Sequence, residues 1–278
     1  MAYIARKDIL AHLYDCIDRR IPIIGSGAGV GLSAKSEEMG GTDLIICYNT
    51  GIYRMNGRSS TMGILSVGDS NGQLLEMAPW ILGAVKKTPV LGGVFANDPL
   101  RDMDKFLDQL RELGFSGIQN FPTVGGFDGH WRQICDTSDI TYEKEVEMIR
   151  LANQKDMLTT PYVWCEEDAM AMTAAGADVI VLHTGMTAGG SNGANPDVLM
   201  SMEDTCKFAQ RLRDAAVSVR KDVICIVHGG LVAFPKDFEY VMNHTTGIHG
   251  FYGASSVERL PVEMAISNCI REFKSVKF

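Results

Sequence analysis

Eight short apolar runs, each ending in small or polar residues and most followed by a helical pattern, restrict this chain to very few architectures. They cover residues 21–26, 43–48, 90–96, 117–121, 158–164, 178–183, 223–228 and 248–252. Near-continuous apolar runs mark strands buried on both faces, which implies a parallel sheet. Amphipathic stretches lie between them at 73–86, 103–113, 142–155, 166–175, 202–220, 236–244 and 257–273, with Thr141 and Pro261 as helix-entry signals. A short helix is expected over 33–39, stopped by Gly40 and Gly41, and another over 6–20 ahead of the first strand. Eight strands alternating with helices in 278 residues specify an α/β architecture, the (β/α)8 TIM barrel, in preference to an open doubly wound sheet. The barrel is expected over 21–278 as a single domain, with 1–20 as an N-terminal helix that closes the barrel bottom or contacts another subunit.

Charge and composition narrow the partners. The net charge of -8, with Lys and Arg scattered singly, excludes nucleic acid as the main partner, because phosphate binding needs a basic stripe. No run approaches the roughly 20 apolar residues of a membrane span, and the first twenty residues carry no secretory apolar core. Seven cysteines, an odd number without a C-x-x-C pair, read as reduced thiols. The expected location is the cytoplasm, and the expected partner is a small-molecule substrate. The N-terminal helix and a long second loop suggest a homo-oligomer.

In a TIM barrel the chemistry comes from strand C-termini and the loops that follow. The polar residues there are Ser26; Asn49 with Arg54 and Arg58; Asn97 and Asp98; Gln119 and Asn120; Tyr162 and Glu166; His183; His228; and Ser255 with Ser256. His183 and His228 each close a β-branched run at equivalent places on strands six and seven, where imidazole can serve as acid or base; alone, either can be a structural strand cap. Asn49, Asn97 and Asn120 are amides suited to a developing negative charge. Arg54 and Arg58 can clamp an anion bidentately, or be solvated or inter-subunit charges. His12, His244 and His249 lack a strand-end setting, and His130 sits in a glycine-rich loop.

Glycine-rich segments follow strands one, four, six and seven. The first, Gly25-Ser-Gly-Ala-Gly, is no dinucleotide fingerprint, since it lacks a good crossover helix and an acidic residue ending the next strand. The segment 184–194 reads as a flap over the mouth. Gly229 and Gly230, with the Ser255 turn, mark the place where barrels commonly hold an anion. No organic cofactor is expected and no metal ligand is assigned. A hard divalent ion such as Mg2+ is conceivable on Asp98, Asp69 or Glu166, but their spacing does not support it.

Four segments carry a family resemblance: Gly-Ser-Gly-Ala-Gly-Val-Gly-Leu-Ser-Ala-Lys at 25–35, Tyr-Asn-Thr-Gly-Ile-Tyr-Arg-Met-Asn-Gly-Arg at 48–58, Gln-Asn-Phe-Pro-Thr-Val-Gly at 119–125, and His-Gly-Phe-Tyr-Gly-Ala-Ser-Ser-Val-Glu-Arg-Leu-Pro at 249–261. In these the chain resembles the phosphoenolpyruvate hydrolase-like proteins, also called TIM-barrel signal transduction proteins, distant kin of the phosphoenolpyruvate mutase and isocitrate lyase barrels. The resemblance spans nearly the whole chain and itself implies the barrel. Unlike the mutase and lyase barrels, the chain has no Lys-Lys-Cys-Gly-His segment and no obvious acidic cluster for Mg2+.

Residues and resemblance together point to a hydrolase or lyase. It would cleave a C–C or C–P bond next to a carbonyl in a 2-oxo acid, β-dicarbonyl or acylated compound, through an enolate- or oxyanion-like state. His183, His228, Asn120 and Asn97 are the expected catalytic residues. Ser26, Asn49, Arg54, Arg58, Tyr162, Gly229, Gly230 and Ser255 are the expected substrate contacts. The alternative is a barrel that senses a ligand or binds protein without turnover.

Overall fold

The computed structural model describes residues 3–65 and 67–278. Its strands form one parallel sheet in the order β5-β4-β3-β2-β1-β9-β8-β7-β6. They are β1 (Ile23–Ala28), β2 (Leu44–Cys47), β3 (Val90–Gly93), β4 (Gly117–Gln119), β5 (Leu158–Thr159), β6 (Tyr162–Val163), β7 (Val179–His183), β8 (Ile224–His228) and β9 (Gly250–Gly253). The two end segments, β5 and β6, are halves of the single run read at 158–164. Pro161 lies between them, and a proline cannot donate to a strand ladder. The first half pairs with β4 and the second with β7. The gap is bridged by Thr160 N–H donating to Ile118 O (3.0 Å) and Val181 N–H donating to Pro161 O (2.9 Å). The ring therefore closes, and the nine segments make an eight-stranded barrel.

Alternation along each strand sorts side chains into two cores. Leu44, Ile46, Val179, Val181, Ile224 and Ile226 fill the barrel interior, while Ile45, Cys47, Ile180, Leu182, Cys225 and Val227 pack outward beneath the helices. Helix α1 (Arg6–Asp18) belongs to the interior core, because its buried Ile9, Leu13 and Cys16 stopper the N-terminal end of the barrel. Of the two roles open to this helix in the sequence, the structure displays the barrel stopper.

The crossover helices are α2 (Gly31–Gly40), α4 (Ser70–Ala84), α5 (Met103–Leu113), α7 (Tyr142–Gln154), α8 (Glu166–Ala174), α9 (Met202–Val219) and α10 (Pro235–His244). Gly41 ends α2 with a left-handed φ of 87°, Asp69 caps α4 by accepting from Gly72 N–H, and Thr141 caps α7 by accepting from Lys144 N–H. Two long connections hold helices that apolar periodicity did not announce, α3 (Thr50–Met55) and α6 (Gly129–Thr137). The last helix, α11 (Arg259–Ser275), leaves the barrel after burying Arg259 and Leu260; Met264, Ile266, Ile270 and Phe273 on it stay exposed. Among the described residues no helix is long and apolar enough to cross a membrane.

Candidate active site

Register fixes the centre of the site. His183 and His228 are paired Cα partners at the last rungs of β7 and β8. Val179 and Val181 point inward, as do Ile224 and Ile226, so the period of two puts both imidazoles on the inner face as well. Their ring centroids lie 4.6 Å apart. Aromatic rings wall them in. His183 stacks on Trp164 at 3.6 Å, His228 stacks on Tyr162 at 5.1 Å, and Tyr252 meets His228 edge-on at 6.2 Å.

Hydrogen bonds give the two rings opposite tautomers. His183 Nδ1 accepts from Gly185 N–H (3.2 Å), which leaves its proton on Nε2. His228 Nδ1 lies 2.6 Å from the Tyr252 carbonyl, which only accepts, so Nδ1 carries the proton and Nε2 keeps its lone pair. Burial disfavours the charged form of both. It brings His228 down to about 4 against the partial opposition of the Tyr252 carbonyl, and it holds His183, which also faces His228, well below the ordinary histidine value. At neutral pH the pair is thus one neutral base beside one neutral donor.

Beneath the histidines lies a polar layer that is only partly satisfied. Tyr162 Oη, Tyr252 Oη, Gln119 Oε1 and Thr160 Oγ1 are buried without a fully formed hydrogen bond, although Tyr162 lies near Tyr48 and Tyr252 near Thr160 and Gln119. Such atoms call for water or a ligand. The inner face makes room for these tyrosines through glycine. A Cβ on Gly25 would sit 2.3 Å from the Tyr252 ring, and one on Gly93 would sit 2.3 Å from Tyr48 Cβ. Gly25 and Gly27 therefore accommodate aromatic packing at the first strand, while Gly29 lies against the Gly51 backbone.

The other residues singled out from sequence fall into three settings. Asn120 is at the mouth and buried. Its amide donates to Glu145 Oε2 (2.6 Å) and its oxygen accepts from Tyr162 N–H (2.7 Å), so it fixes the strand that carries Tyr162. Glu145 also accepts from Thr123 and Val124; its burial outweighs these bonds and raises its pKa to about 8. Asn49 donates to Gly63 O and Ser70 Oγ, and Asn97 ties into the cap of α7 through the backbone of Thr141. Asn97 also lines an 860 Å³ cavity with Asp98, Ile140 and Glu143 beside the mouth.

Two charged or polar candidates are committed to the scaffold. Arg54 is fully buried, with Nε 2.5 Å from Glu258 Oε2 and Nη2 donating to Gly27 O. Glu258 Oε1 in turn accepts from Gly29 N–H and from the Ser33 hydroxyl. Ser26 faces outward to α2 and donates to Glu37 (2.8 Å). Arg58 is exposed. Ser255 is buried 3.3 Å from the Ser60 hydroxyl.

Gly229 and Gly230 lock the loops after β7 and β8 together. Gly230 N–H donates to Gly185 O and Gly230 O accepts from Ala188 N–H. The segment 184–194 is further tied down by Ser191 to Glu263 and by Asn192 to Gly57 O. Under these loops and the aromatic rings, His183 and His228 are only 2% and 6% exposed. Sequence reading did not mark Trp164, Tyr252, Tyr48, Glu145 or Glu258. The tyrosines had a signal, since each closes one of the apolar runs read at 43–48 and 248–252. Glu258 had none, because its partner Arg54 lies 204 positions away.

Known proteins are similar to this chain in fold and sequence. The chain is 50% identical over 271 residues to the ToMV resistance protein Tm-1(GCR237) of Solanum lycopersicum, covering 98% of this chain and 36% of the relative. It thus spans little more than a third of that protein's length. Its fold is similar to a phosphonopyruvate hydrolase solved with oxalate and Mg2+ (TM-score 0.59, 16% identity, 97% of this chain and 88% of that one). It is also similar to 2,3-dimethylmalate lyase, described as a PEP mutase/isocitrate lyase superfamily member (TM-score 0.61, 14% identity, 98% and 88%).

The acidic residues considered for a hard ion are already engaged in ion pairs. A hard ion takes converging oxygen donors. Here Asp98 and Asp69 are paired with Arg101, and Glu166 with Arg211. Among the described residues no three acidic, histidine or cysteine ligands converge at the mouth. The family profile described as phosphoenolpyruvate hydrolase-like matches residues 8–276. With that match, on a closed barrel whose mouth carries the paired histidines, the chain belongs to the phosphoenolpyruvate hydrolase-like family.

Proposed function

We propose that this barrel cleaves a C–C bond next to a carbonyl, with His228 as base and His183 as hydrogen-bond donor. The observation that carries this reading is the pair of neutral, oppositely tautomeric imidazoles on neighbouring strand ends. In a β-dicarbonyl substrate, His228 Nε2 takes a proton from water as the water oxygen adds to one carbonyl carbon. His183 Nε2–H donates to the oxyanion that forms. Collapse restores the carbonyl as an acid and breaks the C–C bond, whose electron pair becomes the enolate of the second fragment. The proton on His228 then passes to the enolate carbon, so one water is consumed and both residues end as they began. The aromatic walls exclude bulk water, and no step is routed through a metal.

The test is incubation with 2-oxo acids, phosphoenolpyruvate, β-diketones and acyl-phenols, with products followed by mass spectrometry. Cleavage lost in His183→Ala and His228→Ala supports the reading; cleavage unchanged in both variants overturns it. A ligand-sensing barrel is the second reading, favoured by the near-complete cover over the histidines and by polar groups tied into the scaffold. It predicts a ligand that raises Tm without turnover. For assembly we propose a homo-oligomer, supported by the exposed apolar stripe Ile266, Ile270 and Phe273 at helical spacing on α11.

A further inference from the structure

At the opposite end of the barrel, three side chains of different chemistry meet on one point. His12 and Cys16 lie four residues apart on α1 and so share a face. Asp43 comes from the turn before β2 and is held there because its Oδ2 accepts from Ile24 N–H (2.8 Å). His12 Nε2 lies 2.6 Å from Asp43 Oδ1, and Cys16 Sγ lies 3.7 Å from that nitrogen and 3.9 Å from that oxygen. Among the described residues this is the one group of three such ligands close enough to hold an ion.

We infer that His12, Cys16 and Asp43 form a binding site for a borderline divalent ion, Zn2+ in the first instance, on the floor of the barrel. Tetrahedral zinc with ordinary bond lengths separates sulfur from a nitrogen or oxygen ligand by about 3.5 Å, and nitrogen from oxygen by about 3.4 Å. The two sulfur separations already lie within a few tenths of an ångström of that. Only the His12–Asp43 pair must open, by roughly 0.8 Å, and His12, 54% exposed, is free to turn.

The donor set suits the ion. Imidazole and thiolate favour Zn2+ over Mg2+, and one carboxylate with one thiolate neutralises its charge. Binding exchanges the Cys16 thiol proton for a sulfur–metal bond and releases that proton to solvent. Three protein ligands leave a fourth position open. His12 and Asp43 also line a cavity of about 400 Å³ with Asp8, Thr42 and Lys87, from which water or an additional oxygen donor would complete the shell. The ion would pin the stopper helix α1 to the sheet, far from the histidines at the mouth.

The probes are Co2+ and Zn2+ added to the chelator-treated chain. The site predicts one Co2+ per chain with a thiolate-to-cobalt charge-transfer band in the near ultraviolet, discharged by Zn2+. Cys16→Ser removes the band, and His12→Gln, at an exposed position, weakens Zn2+ binding at least about 10-fold. Cys269→Ser leaves both unchanged, and circular dichroism reports whether each variant is folded. A missing band in folded wild-type chain, or a band that survives Cys16→Ser, overturns the site and leaves the trio as a hydrogen-bonded latch only.

Discussion

A neutral histidine pair is a statement about protons, and its consequences can be worked out residue by residue. Burial lowers the pKa of both rings, so the unfolded chain binds protons that the folded chain rejects. The associated stability is present above the ordinary histidine value of 6.5 and is lost as pH falls toward about 4 for His228. For that residue the full loss is on the order of 3 kcal/mol. Urea midpoints should therefore fall between pH 6.5 and 4.5, and fall less in His228→Gln. Activity should follow the same direction, since protonating Nε2 removes the base. Replacing His228 with alanine should lower turnover by about 10²–10⁴-fold with the fold retained. The strand-end placement of both histidines was legible in the sequence, but their inward direction was not, because near-continuous apolar runs do not mark which face lines the interior. Their tautomers were not, because those depend on a loop amide at Gly185 and a carbonyl at Tyr252 on another strand.

Among the elements, the positions of seven strands followed from runs of buried apolar residues, and the eighth was legible as one run although Pro161 divides its ladder. Helices α3 and α6 were not, because neither carries the apolar spacing that marks a core-facing helix; α6 buries no residue at all. The same limit hid the joint between α3 and α11. Arg54 reads as an anion clamp from its neighbours in sequence, yet it spans the fold to reach Glu258. Arg54→Met, which leaves a buried carboxylate unpaired, should cost about 3–5 kcal/mol in denaturant unfolding, and adding Glu258→Gln should recover part of it. An absence of additional loss in Arg54→Met relative to the double variant would contradict the pairing. Gly25 offers a sharper probe of β1. Because the new methyl would meet the Tyr252 ring, Gly25→Ala should destabilise by about 1–3 kcal/mol and disturb the carbonyl that orients His228. Unchanged stability and turnover would show that the ring has room to move.

For the whole molecule, the barrel separates its tasks by end. The floor is stoppered by α1 and carries the His12, Cys16 and Asp43 cluster, while the mouth carries the histidine pair beneath tied loops. The long second loop that suggested assembly in the sequence folds into α3 and a short 3-10 turn against the barrel, whereas α11 presents the exposed apolar stripe. Charges at Ile270 and Phe273 should reduce the mass seen by light scattering to that of one chain if α11 joins copies. A mass that does not change would remove α11 from the interface. The enzymatic reading rests on the mouth alone, so it is best tested there. The decisive measurement is cleavage of a β-dicarbonyl or 2-oxo acid panel in D2O, with products read by mass spectrometry. The account predicts carbon-bound deuterium in the enolate-derived fragment beyond that of an enzyme-free exchange control, and product formed about 10²–10⁴-fold more slowly in His228→Ala. A panel without any cleavage, in which one compound nevertheless raises Tm, would contradict it and identify a barrel that binds without reacting.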